Sequence, residues 1–193
     1  MKAGEIEVWR VRLDELREDD VPPPTPGEIA RASRFHSEEI GRRYLRAHGA
    51  LRAILGERPF AVTERGKPYL PNAPEVKFNL SRSDGIALIA VALEVEVGVD
   101  VERIRELPEY PEIARRFFPP GEAEPPDQHE FFRRWTRIEA RLKAWGVGLY
   151  GVGLELDGPW TLEDIDAGEG FAAAVAAMKQ GMTVSVRDFG SRG

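Results

Sequence analysis

Apolar and polar residues recur along this chain with two periods, and the switch between them marks out its elements. Glu5 to Leu13 alternates apolar with charged side chains, the two-residue repeat of a strand with one buried face. The acidic stretch Asp14 to Asp20 and the run Pro22-Pro23-Pro24 read as a loop. Thr25-Pro26-Gly27-Glu28 opens a helix, with Thr as N-cap, Pro at the first position and Glu at the third. A longer helix is predicted from Ser37, its buried stripe marked by Ile40, Tyr44, Ala47, Leu51 and Ile54. Phe60 to Thr63 is a short strand leading to the turn Gly66-Lys67-Pro68, with Lys67 at its tip. Val76, Phe78 and Leu80 form the inward side of another strand, with Lys77, Asn79 and Ser81 opposite. Asp84-Gly85 predicts a hairpin into the buried strand Ile86 to Leu93. The valines of Val95 to Glu102 then fall at every second position, as a strand again.

Beyond residue 102 the texture changes. Pro111 to Phe118 is a short amphipathic helix, and Pro119-Pro120-Gly121 and Pro125-Pro126 bound a connection. Asp127 caps a second long helix, with Glu130 three residues on and an apolar stripe of Phe131, Trp135, Ile138, Leu142 and Trp145. Gly146 and Gly148 end it. Both tryptophans are assigned to the core. Leu154 to Leu156 and Met182 to Phe189 read as strands, and the Gly148-Gly151-Gly153 region as a strand-entry loop. Phe171 to Ala177 stays open: its alanines favour helix and its brevity favours strand.

Composition narrows the chemistry. The 193 residues contain no cysteine, which removes disulfides and thiolate chemistry. The longest apolar run, Ile86 to Leu93, is far too short to span a bilayer, and no basic-then-apolar leader opens the chain, so a cytoplasmic location is expected and no membrane association. The net charge of −6 argues against nucleic acid as a partner. Positive charge is nonetheless clustered: Arg31, Arg34, Arg42, Arg43, Arg46 and Arg52 in one stretch, and Arg133, Arg134, Arg137, Arg141 and Lys143 around Glu139 in another. Such patches on an acidic chain suit a localised anionic ligand or partner as well as a solvated helix face.

The polar face of the Val95–Glu102 strand carries Asp100 and Glu102, roughly 7 Å apart along the backbone. Two carboxylates that close repel, and a hard divalent cation relieves the repulsion. Gly98 leaves space just upstream. On the second long helix Glu139 sits beside the apolar stripe, and Lys143 lies one turn further on the same side. An acid at that margin could complete a three-carboxylate cation site, with Lys143 reaching a phosphate held there. A surface ion pair is the plainer reading of Glu139 and Lys143 taken alone.

Gly98-Val99-Asp100-Val101-Glu102 and Trp135-Thr136-Arg137-Ile138-Glu139-Ala140-Arg141-Leu142-Lys143-Ala144-Trp145-Gly146 together resemble the two signature motifs of the 4′-phosphopantetheinyl transferases, in their larger Sfp-like class. Gly66-Lys67-Pro68 and Phe78-Asn79-Leu80-Ser81-Arg82-Ser83 resemble that class's two upstream motifs, and Arg42 its coenzyme A arginine. The resemblance runs from about residue 30 to 150. It implies a pseudo-twofold pair of similar α+β halves, here residues 1–94 and 95–193, with a ligand cleft between them. It implies transfer of 4′-phosphopantetheine from coenzyme A to a serine of an acyl or peptidyl carrier protein, releasing adenosine 3′,5′-bisphosphate. By motif position Asp100, Glu102 and Glu139 would hold Mg²⁺ on the diphosphate and Lys143 would contact that group. Arg42, Lys67, Pro68, Ser81 and Arg82 would serve the nucleotide end. Asp100, Glu139 and Lys143 would be catalytic, with Glu139 taking the serine proton directly or through a metal-bound water. A monomer is expected.

Two positions depart from the family pattern: Ile138 stands where Lys is frequent, and Arg82 where His is frequent. Ile138 falls inside the apolar stripe and is explained by packing; Arg82 can bind phosphate but does not titrate near neutrality. They leave a rival reading, a non-catalytic coenzyme A-binding protein of the same fold. A Mg²⁺-dependent phosphoesterase built on the same acids would leave both upstream motifs unexplained.

Overall fold

The computed structural model describes residues 2–119, 121–147 and 158–190. Strand β1 (Glu5–Arg12) lies inside a four-stranded sheet with β4 (Val76–Ser83), β5 (Ile86–Leu93) and β9 (Thr183–Asp188), in the order β4-β5-β1-β9. Every pairing in it is antiparallel except β1 with β9, which is parallel. Thus β9, from beyond residue 94, completes a sheet built otherwise from the first half of the chain. The second sheet orders β6 (Val97–Arg103), β8 (Phe171–Ala177) and β7 (Thr161–Asp164) as β6-β8-β7, all antiparallel. A small hairpin pairs β2 (Ala61–Val62) with β3 (Pro68–Tyr69).

Helix α1 (Pro26–Ala32) begins with the capping box expected at Thr25 and Glu28, and α2 (Glu38–Leu55) is capped by Ser37. Further on, α3 (Tyr110–Phe117) precedes α4 (Gln128–Trp145), which starts at Asp127 and stops at Gly146 in the left-handed conformation, φ 73°. The β4–β5 turn places Asp84 at φ 48°, which Asp tolerates better than most residues. The open assignment of Phe171 to Ala177 resolves as strand β8, and β7 is a strand that no periodicity announced. The expected strand Leu154–Leu156 and the loop through Gly148, Gly151 and Gly153 lie outside the described residues.

Strand β5 is apolar on both faces because both are covered. Ile86, Leu88, Ala90 and Ala92 join Ile6, Val8, Val97, Val99, Val101, Val175 and Met182 in a core between the two sheets. Ala87, Ile89 and Val91 turn the other way, onto Ala47, Ala50, Leu51 and Leu55 of α2. Strand β8 repeats the device: Ala173, Val175 and Ala177 enter the inter-sheet core, while Ala174 and Ala176 lie under Ala140 of α4. Its alanines reflect how closely that helix approaches, and not helix propensity.

Strands β4 and β6 sit at the edges of different sheets, and side chains join them. The N–H groups of Val99, Val101 and Arg103 donate to Asn79 Oδ1 at 2.9 Å, Ser81 Oγ at 3.3 Å and Ser83 Oγ at 3.0 Å. Alternate residues of β4 thus serve alternate residues of β6 and satisfy an otherwise open strand edge.

Candidate active site

Three segments converge at this seam. A Cβ on Gly98 would lie 2.1 Å from the carbonyl oxygen of Ala140 and 2.3 Å from the amide nitrogen of Ala144, so glycine is what lets α4 lie directly on β6. That contact brings Lys143 over the strand. Its Nζ is 2.5 Å from Asp100 Oδ1 and 3.0 Å from Ser81 Oγ, and Ser81 donates to the same carboxylate oxygen at 2.9 Å. Asp100 is only 3% exposed, and its second oxygen, Oδ2, is buried without a hydrogen-bond partner among the described residues.

Glu102 lies two residues along, accepting from Ser83 Oγ at 3.3 Å and 3.7 Å from Arg105. Burial pushes its carboxyl above the ordinary range and the charge of Asp100 adds to the effect. Glu139 behaves alike. Burial raises its carboxyl, Asp100 and Glu102 raise it further, and Lys143 offsets only part of this. Its Oε1 is also buried and has no hydrogen-bond partner among the described residues. The three predicted acids therefore share one electrostatic neighbourhood, although they come from segments some forty residues apart. Among the described residues no three Asp, Glu or His side chains are drawn together tightly enough to hold an ion as they stand. The donor set still suits a hard divalent cation: two orphaned carboxylate oxygens, with two of the three acids held above their ordinary range by burial and mutual repulsion.

The other predicted residues are placed differently. Lys67 Nζ is 2.6 Å from Glu96 Oε2 and 2.8 Å from the carbonyl of Ala144, near the end of α4. Burial lowers its pKa despite the Glu96 bond. Glu96 itself, pushed up by burial, is brought below the ordinary range by Lys67 and Lys77. Pro68 and Lys67 border a small cavity of about 210 Å³ with Tyr69, Lys77, Phe78 and Glu96. Arg82 is half-buried over the rings of Phe35 and Tyr44, at 5.2 and 5.5 Å, with no carboxylate bound to it among the described residues. Burial lowers its pKa without threatening its charge. Arg42 is exposed and lines a separate cavity of about 700 Å³ with Glu18, Asp19, the three prolines, Leu45 and Arg46.

The basic clusters are mostly spent internally. Arg43 binds Asp14 and Glu39, Arg46 the carbonyl of Leu13, and Arg52 both Glu28 and the carbonyls of Pro22 and Pro23. Arg133 and Arg134 grip Glu130, and Arg137 is bidentate on Asp164. Ile138 is buried with Leu142 and Val147, as its periodicity implied, whereas Trp145 is 40% exposed and not core. The residues missed by sequence reasoning are Asn79 and Ser83. Their alternation with Ser81 was visible, but its purpose depended on β6 lying alongside.

A profile of the 4′-phosphopantetheinyl transferase superfamily matches residues 96–178. The chain is 37% identical over 168 residues to the 4′-phosphopantetheinyl transferase HetI of Nostoc sp., covering 76% of this chain and 71% of HetI. It is 35% identical over 155 residues to the 4′-phosphopantetheinyl transferase AcpT of Escherichia coli O157:H7, covering 75% and 77%. With the 4′-phosphopantetheinyl transferase Sfp of Bacillus subtilis it shares 28% over 160 residues, 72% and 70%. Among the described residues no helix is long and apolar enough to cross a membrane.

Proposed function

Because this chain belongs to the 4′-phosphopantetheinyl transferase superfamily of enzymes, we propose that it moves 4′-phosphopantetheine from coenzyme A to a serine of an acyl or peptidyl carrier protein, leaving adenosine 3′,5′-bisphosphate. The observation that carries this is the meeting of Asp100, Lys143 and Glu139 at the β4–β6 seam, all three within the matched stretch.

Attack of a hydroxyl on a diphosphate gathers negative charge on phosphoryl oxygens, so positioning and charge neutralisation do most of the catalytic work. Lys143 brings a fixed ammonium to that place, anchored by Asp100 and Ser81. Glu139, whose carboxyl is raised by burial, is closer to the affinity a proton acceptor needs near neutrality, and it takes the serine proton. Asp100, Glu102 and Glu139 would hold Mg²⁺, which when bound supplies Lewis-acid neutralisation of the diphosphate. The guanidinium of Arg82, paired with no carboxylate among the described residues, and the exposed Arg42 take phosphates of the nucleotide end. Pro68 and Lys67 shape the wall nearby, Lys67 releasing Glu96 if it turns to the ligand.

Incubating an apo carrier protein with the enzyme, coenzyme A and Mg²⁺ should add the mass of one phosphopantetheinyl group. Coenzyme A binding with no mass gain on any acyl or peptidyl carrier protein would replace the transferase by a binding protein.

A further inference from the structure

Two serines of β4 perform the same pair of tasks two residues apart. Ser81 accepts the N–H of Val101 and donates to the carboxylate of Asp100, the residue before it. Ser83 accepts the N–H of Arg103 and donates to the carboxylate of Glu102, again the residue before. The repeat follows from two strands running alongside at matching two-residue spacing. Each hydroxyl is thereby oriented: its lone pairs face the β6 amide, so its single proton is left for the acid. Ser81 has its full capacity engaged, since Lys143 Nζ donates to it as well. Among the described residues the Ser83 side chain makes only these two bonds, so its influence on Glu102 is the easier to isolate.

We propose that Ser83 is a positioning residue for the cation site, orienting the Glu102 carboxylate from the opposite strand as Ser81 orients Asp100. The inference rests on the cation-site reading of Asp100, Glu102 and Glu139. Both acids of β6 are thus aimed by side chains of a strand from the other sheet, which ties metal affinity to the integrity of the seam. Partners that orient metal ligands typically matter by 10- to 100-fold in affinity. The 3.3 Å separation from Glu102 places Ser83 at the lower end.

The test is Mn²⁺ binding to metal-free protein with coenzyme A present, followed by water-proton relaxation. Ser83→Thr keeps the hydroxyl and Ser83→Val replaces it with a methyl of the same shape, both suited to a strand. Ser83→Val should bind Mn²⁺ about tenfold more weakly than Ser83→Thr, with a melting temperature lower by a few degrees at most, since the exposed Arg103 N–H that loses its acceptor can turn to water. In a Glu102→Ala background the two should bind alike, because the acid they address is gone. Equal affinities of Thr and Val variants in the otherwise native protein would overturn the proposal, as would a difference that persists without Glu102. An Asp100→Ala protein that binds Mn²⁺ as tightly as the native one would instead remove the cation-site reading, and this inference with it.

Discussion

Glu139 occupies a place that disfavours its charge: burial raises its carboxyl, and two like charges raise it further. Glu139→Gln keeps the shape and removes the charge. Transfer should fall by about 10²- to 10⁴-fold, while the melting temperature in EDTA stays level or rises. A marked drop in melting temperature would mean that Glu139 is a structural residue. Glu130 is the opposite case. Hydrogen bonds from Arg133 and then Arg134 hold its carboxyl down at about 2. A depressed carboxyl stabilises the fold above its unfolded value near 4.5, and that contribution is lost as pH falls toward about 2. Glu130→Gln should therefore lower the melting temperature at pH 7, with the gap to the native protein closing between pH 5 and pH 2. A gap independent of pH would refute the assignment.

The helix that carries Glu139 and Lys143 is placed by an absence of side chain. With a Cβ at residue 98 lying 2.1 Å from Ala140 O, the helix must withdraw or β6 must bend. Gly98→Ala should cost about 1–3 kcal/mol of stability and also suppress transfer, since it lifts Lys143 off Asp100. Thermal denaturation and the carrier-protein mass assay check both parts. Stability without activity, or the reverse, would separate the packing of α4 from the site. Most of these elements could be read from the chain itself. Caps at Thr25, Ser37 and Asp127 and the period-two valines of β6 are local features, fixed by bonds within a few residues. β7 could not be read, because its four residues show no alternation and gain their face from β8. Trp145 misled because its helical spacing matched the stripe, yet it is the last residue of the helix and is left 40% exposed.

Across the molecule one core belongs to both sheets at once, and β9 crosses back to pair with β1. Neither residues 1–94 nor residues 95–193 then bury a complete core, and each fragment should give the poorly dispersed NMR spectrum of an unfolded chain. Cooperative unfolding of either fragment alone would contradict this. The pattern of residues was enough to determine most of the strands and helices and the acids on one face of β6, since each depends on neighbours close in the chain; β7 and the choice of strand over helix for Phe171 to Ala177 came only with their partners. Only the tertiary structure decided which charges remain free. Arg43, Arg52 and Arg137 find carboxylates 24 to 29 residues away, Lys67 finds Glu96, and Arg82 finds none among the described residues. An ion pair is made by whichever opposite charge the fold brings within a few ångströms, and sequence distance carries no record of that meeting.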